Sequence, residues 1–259
     1  MPPGGYFGRA LVVDLDGPDS HALELEEDVL RACIGGAGLG TYLLHLLAPE
    51  DVEPLAPEAP LAFVFSPLVG TPLTTSAKFA VVAKSPLTNR LNDALASSHF
   101  AIAGKLTGND AIVVRGACDA PSTLVVDEHG ARVIDAAELW GLSAAAAEAR
   151  LRERLGPAYR VAAIGPAGER LVRFATVSHD GRHAGQTPRH AHAGRDPRLA
   201  RARARARRRR GSAVRQPPPE RGRPRSPAAA PRAARAPADR SARAGSARRS
   251  SPEPGWGGR

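Results

Sequence analysis

The chain has 259 residues and a formal net charge of +10, but the charge is divided between two unlike parts. Residues 1–185 carry 15 Lys+Arg against 22 Asp+Glu, a net charge of −7, whereas residues 186–259 carry 21 Arg against 4 acids, a net charge of +17. A uniformly basic protein is therefore excluded, and the first part is long enough to bury one sizeable core. Two cysteines, Cys33 and Cys118, lie far apart without a C-x-x-C spacing, so neither a disulfide framework nor a structural zinc site is expected. No apolar run approaches 18 residues and the start, MPPGGYFGRA, lacks the apolar core of a signal peptide. The reading is a soluble, cytoplasmic chain without a membrane partner.

In chain order, Tyr6 to Asp16 reads as a strand, with Gly17-Pro18-Asp19 as a turn and His21 to Leu25 as the return strand. Glu26 to Cys33 reads as a short helix with acids in its first turn. The glycine run Gly35 to Gly40 reads as a tight turn leading into an apolar helix over Thr41–Leu47, and Pro49 to Pro60 as a loop. Leu61–Phe65 and Lys78–Ala83 read as buried strands and Ser97–Leu106 as a helix. Ala111–Arg115 reads as a strand, and Ser122–Asp127 with Ala131–Asp135 as a hairpin. Ser143 caps a predicted alanine-rich helix to Leu155, and Arg160–Ile164 and Leu171–Val177 read as strands. Strands in hairpins and clusters with a few helices between them predict an α+β fold.

From Gln186 the composition collapses to Arg, Ala, Pro, Gly and Ser, including RARARARRRR at 201–210. The large apolar residues there are Leu199, Val214 and Trp256, too few to offset ordering, so residues 186–259 are predicted to be a disordered low-complexity tail. Its arginines could bind nucleic acid by counterion release, without aromatics to stack on bases. The same composition is what GC-rich DNA yields out of frame, and the abrupt switch favours that origin.

Several motifs carry possible chemistry. GGAGLG fails the dinucleotide spacing because position 41 is Thr, and Gly104-Lys105 is followed by Leu106, which excludes a Walker A loop. Lys78 and Lys84 flank an apolar strand at even spacing and so point to one side of it, as binding groups or as solvated strand ends. The loop Ser66 to Pro72 could present backbone N–H groups to an anion. His179-Asp180-Gly181-Arg182-His183 admits a dyad, a metal site, a phosphate clamp or a charged surface turn. Missing ligand spacing argues against metal, and Arg beside glycine backbone suits phosphate.

Gly8–Leu15, Ile34–Leu44, Pro54–Glu58, Ser66–Thr71, Val81–Thr88, Gly104–Val114, Leu139-Trp140-Gly141 and Ala163–Gly185 occur in an order that resembles the N-terminal domain of the aldehyde ferredoxin oxidoreductase family of tungsten-pterin enzymes. The resemblance covers residues 1–185. It implies an intertwined two-sheet α+β domain that serves as platform for a tungstopterin (or molybdopterin) cofactor. It further implies an oxidoreductase that converts aldehydes to acids and passes electrons through a 4Fe–4S cluster to ferredoxin. By position it implies cofactor contacts at Lys78, where the family commonly has Arg, and around Leu95 and Ser97, where its Asn-x-Gly is replaced by Leu95-Ala96-Ser97. It also implies contacts at Gly181, Arg182, His183 and Gly185, the start of a pterin loop whose Arg-Gly-Gly continuation is here Gln186-Thr187-Pro188. No catalytic residue or metal ligand is expected in this stretch. With two cysteines the chain cannot ligate the cluster, so it is expected to be incomplete and inactive alone, lacking a catalytic half. A stand-alone pterin-binding or assembly module, and a nucleic-acid binder acting through the Arg-rich tail, are the alternatives.

Overall fold

The structure, a computed structural model, describes residues 4–17, 19–181 and the backbone of 183–186. The chain runs β1 (Arg9–Asp14), β2 (Ser20–Glu24), α1 (Glu27–Cys33), α2 (Gly36–Leu47), β3 (Leu61–Phe65), β4 (Lys78–Lys84), β5 (Leu91–Ser97), α3 (His99–Leu106), β6 (Ala111–Arg115), β7 (Ser122–Asp127), β8 (Gly130–Asp135), α4 (Ala144–Leu155), β9 (Ala162–Ala163), α5 (Pro166–Glu169), β10 (Thr176–His179) and β11 (His183–Gln186). It is a mixed α/β fold. Among the described residues the two larger sheets are six-stranded, in the order β2-β1-β6-β3-β4-β5, and three-stranded, in the order β11-β10-β9. Strands β7 and β8 form a separate ribbon. The six-stranded sheet is antiparallel except where β1 runs parallel to β6.

Alternation along the strands fills both faces of the large sheet. Val12, Val64, Val82 and Val113 point to one face, where Leu39, Leu43 and Leu30 of the α1–α2 pair cover them. Phe65, Phe79, Val81 and Ile112 point to the other, against Ala101 and Phe100 of α3 and Leu124 and Val126 of β7. A third cluster, with Leu139, Leu151 and Val161, holds α4 against the small sheet.

Four sequence expectations are corrected. The glycine run is the first turn and a half of α2 rather than a turn before it. A Cβ on Gly40 would sit 2.5 Å from Val82 Cγ2, so glycine lets the helix lie flat on β4, and that packing outweighs its poor helix propensity. The helix expected from Ser97 begins at His99 behind a Ser98 cap, and Ser97 instead ends an edge strand, Leu91–Ser97, to which the sequence reading assigns no element. The expected strand at Arg160–Ile164 shrinks to Ala162–Ala163. The one at Leu171–Val177 is displaced to Thr176–His179, after the short helix α5 and turns through Leu171, whose φ of 60° excludes a strand there.

Candidate functional site

Five strands of the large sheet have ends at one edge: the starts of β1, β6 and β4 and the finishes of β3 and β5. The loop from Ser66 to Ala77 crosses this edge. Ser66 N donates to Lys78 O at 3.0 Å and Ser98 N to Ala77 O at 3.1 Å, which binds the loop's two ends into the sheet corner. Gly35, with φ 58°, lies against Pro67, where a Cβ would stand 2.8 Å from the ring, so the start of α2 abuts the same loop. Thr75, three residues before Lys78, has φ 60°. A β-branched residue in the left-handed region costs on the order of 1–3 kcal/mol and clusters at sites where the backbone must be held.

Register brings three of the expected cofactor contacts to one side. Lys78 pairs with Ser97 and Ala80 with Leu95, so Lys78, Leu95 and Ser97 all lie on the α2 face of the sheet. Leu95 is 67% exposed because α2 ends its cover short of the edge strand. Lys78 is half-buried, and its ammonium has no hydrogen bond or ion pair with the described residues. Of the chain's three lysines it alone lacks one there: Lys84 donates to Val52 O at 2.8 Å and Lys105 to Asp110 Oδ1 at 2.5 Å.

The β10–β11 turn docks beside this corner. His179, 2% exposed, places Nδ1 3.1 Å from Ser98 Oγ and packs edge-on to Phe79 at 5.0 Å between centroids. Phe100 N, in the first turn of α3, donates to Ser98 Oγ at 3.1 Å and to Asp180 Oδ2 at 3.0 Å, so a carboxylate from the turn supplements the helix cap. Gly181 N donates to Oε2 of the buried Glu148 at 2.7 Å. Asp180 and Gly181 both have positive φ, as a tight reversal of the hairpin requires.

The turn containing Gly181, 84 residues beyond Ser97, thus packs at the same sheet end as Lys78 and Ser97 through the Ser98, Phe100 and Asp180 contacts, on the α3 face, opposite the one that carries those two residues. The Gly181 N–H is spent on Glu148 rather than presented outward. His183 and Gly185 contribute backbone pairs to His179 and Val177; their side-chain surroundings, and Arg182 altogether, lie outside the described residues. Sequence reading missed Ser98 and Glu148, and singled out Asp180 without its part in capping α3. A Ser immediately before an apolar helical run signals the cap, but nothing local announces the partners of Asp180 and Glu148.

The corner suits an anion attached to a flat apolar body: an unpaired ammonium, an exposed leucine beside it and an exposed, glycine-containing loop. Among the described residues no group of three His, Cys, Asp or Glu is placed to hold a metal ion. Cys33 and Cys118 are free thiols, two where a four-iron cluster needs four ligands. Among the described residues no helix is long and apolar enough to cross a membrane.

Residues 10–195 match the family profile described as aldehyde ferredoxin oxidoreductase, N-terminal domain. The chain belongs to the aldehyde ferredoxin oxidoreductase family. Similar proteins include the tungsten-containing aldehyde ferredoxin oxidoreductase of Pyrococcus furiosus, 36% identical over 181 residues. That match covers 70% of this chain and 30% of the relative. The Thermococcus kodakarensis enzyme of the same description is 35% identical with the same coverage. An aliphatic sulfonate oxidoreductase, WOR-like subunit, of P. furiosus is 33% identical over 69% of this chain and 31% of its own length. Among solved structures, the active site complex of benzoyl coenzyme A reductase with 1,5-dienoyl-CoA superposes with a TM-score of 0.67 at 28% identity. It covers 71% of this chain and 28% of that one. The chain therefore spans about 30% of the length of the curated relatives it matches. The matched span takes in β11 and nine residues beyond it.

Proposed function

We propose that this domain is the pterin platform of a tungsten-containing oxidoreductase. The observation that carries the reading is Lys78: a half-buried ammonium without a described partner, on the same sheet face as Leu95 and Ser97. A half-buried cation without an anion is partly desolvated, and a ligand phosphate or other anionic group offsets that cost. Lys78 would hold a phosphate or the edge of the pterin as a point charge, without the bidentate fork that an arginine supplies. Leu95 offers apolar surface to the ring system, and Ser97 a hydroxyl or backbone contact. The turn at Gly181, with Arg182, His183 and Gly185 following it, would close the site from the other side. When bound, tungstopterin (or its molybdenum counterpart) supplies the redox chemistry; this chain's residues bind and orient it.

The family's reaction, aldehyde to carboxylic acid with electrons passed through a 4Fe–4S cluster to ferredoxin, needs cluster ligands that two cysteines cannot provide. This domain by itself is therefore assigned binding and no turnover. The test is pterin and tungsten content of the purified full chain and of a Lys78→Met variant, both grown with tungstate. Pterin should be retained by the native sequence and fall at least tenfold in the variant at unchanged circular dichroism. Equal content in the two proteins would remove Lys78 from the site, and aldehyde-dependent viologen reduction by the chain alone would overturn the assignment of binding without turnover.

A further inference from the structure

Between the face of the large sheet that carries Phe63 and Ile112 and the layer formed by α4 and β9 there is a cavity of about 540 Å³. It lies away from Lys78, Ser97 and Gly181, none of which lines it. Leu124 closes it from the β7–β8 ribbon, and Leu151 and Val161 from the opposite layer. The two core clusters do not merge across this space. Its size is within the ~300–1,000 Å³ usual for small-molecule sites, and its walls are mainly aliphatic and aromatic as such sites require.

One residue of the lining differs from the rest in charge. Arg160, between α4 and β9, is half-buried against the cavity and has no hydrogen bond or ion pair among the described residues. It is also the only lysine or arginine in the lining. The carboxylates that share the wall have other engagements. Asp127 is paired with Arg132, and Glu169 accepts from Gly141 N at 2.9 and 3.0 Å through its two oxygens. Glu128 sits at the ribbon's turn with its side chain 75% exposed. An apolar chamber whose lining includes one arginine, without a partner among the described residues, suits a molecule with an apolar body and one carboxylate, which a guanidinium can take in two parallel hydrogen bonds.

We infer that this cavity is a binding site for a small apolar monocarboxylate, with Arg160 receiving the carboxylate and the Phe63–Leu151 space receiving the hydrocarbon. The site is independent of the pterin corner and stands or falls separately from it. The experiment is calorimetric titration of the full chain with octanoate and with 1-octanol, which shares the hydrocarbon body but has no charge. Octanoate should bind at least tenfold more tightly. In Arg160→Met the two ligands should bind alike, at the octanol level, and in Val161→Phe, which narrows the chamber, both should bind more weakly. Equal binding of the two ligands to the native chain, or no binding of either at millimolar concentration, overturns the inference. So does an octanoate preference that survives in Arg160→Met. Pterin content measured on the same samples should not change with Arg160→Met, which separates failure here from failure of the pterin reading.

Discussion

Lys105 and Lys78 stand at the same end of the large sheet and have opposite fates. Lys105 is buried against Asp110, which is fully buried and also accepts from Phe7 N and Gly8 N at 2.7 to 3.1 Å. The Lys105 ammonium lies 5.6 and 5.3 Å from the ring centroids of Tyr6 and Phe7, so the N-terminal segment forms its lid. Every charge in that cluster has a partner, and the cluster sews β1 to β6 and α3. Lys78, a few strands away, sits at a corner built with comparable care but is left without a partner. A closed charge cluster is architecture; an open one in the same fold is a candidate place for a ligand's charge.

The largest effect should come from opening the closed cluster. Asp110→Asn leaves Lys105 buried without its anion and weakens the acceptor for two backbone N–H groups. Removing one partner of a buried pair costs about 3–5 kcal/mol. Urea unfolding should show that loss through a lowered midpoint. A loss below about 1 kcal/mol would mean that the cluster is not the structural half of the contrast.

Packing at the same end gives the next effect. Gly104 of α3 lies so close to Phe65 that a Cβ would stand 2.1 Å from Cζ. Both neighbours are buried, so Gly104→Ala must shift α3 or rotate the ring, at a cost of about 1–3 kcal/mol. Because α3 carries the Phe100 N–H that holds Asp180, the variant should also loosen the β10–β11 turn. Hydrogen exchange at Phe100 should quicken more than at Val113, and uniform quickening would break the proposed link between α3 and the corner.

The elements of the fold and the residues of the corner are unequally legible in the sequence. The strands with an unbroken apolar run, Leu61–Phe65 and Ala111–Arg115, have the bounds expected, because burial on both faces leaves no competing pattern. Leu91–Ser97 was hidden: as an edge strand beyond α2 it leaves Leu91, Asp93 and Leu95 exposed, and Asn92-Asp93 imitates a turn. Gly36–Gly40 was hidden for the opposite reason, since a contact with Val82 forty-two residues away decides its conformation. At the site, Lys78 was visible as a charge at the mouth of an apolar strand. Its pairing with Ser97 and the reach of Asp180 to Phe100 depend on register and hairpin docking, which no local spacing encodes.

Thr75 offers a smaller effect of opposite sign. Its φ of 60° is a conformation that glycine adopts freely. Thr75→Gly should relieve the strain and, after the entropy glycine gains in the unfolded chain, change stability by about 1 kcal/mol or less, in the stabilising direction. The same change should free the loop before Lys78 and reduce pterin retention. A destabilised variant with retention intact would show that the strain serves neither the fold nor the corner.

The smallest effect contrasts the buried pair with one on the surface ribbon. A hydrogen bond from Arg132, supplemented by His129 N at 3.0 Å, holds the Asp127 carboxyl below its ordinary pKa. A carboxylate with a folded-state pKa below its unfolded value stabilises the fold fully above the unfolded value. That contribution is lost as pH falls through the folded pKa. Arg132 also donates to Tyr159 OH at 3.2 Å, so the pair links the ribbon to the segment after α4. Acidification should therefore loosen β7–β8 from Tyr159. Asp127→Asn should remove the pH dependence of that local opening while leaving the urea midpoint at neutral pH nearly unchanged, as exposed ion pairs contribute little. Amide exchange in β8 followed from neutral pH downward reads it directly; ribbon exchange that stays pH-sensitive in Asp127→Asn would assign the effect to another group.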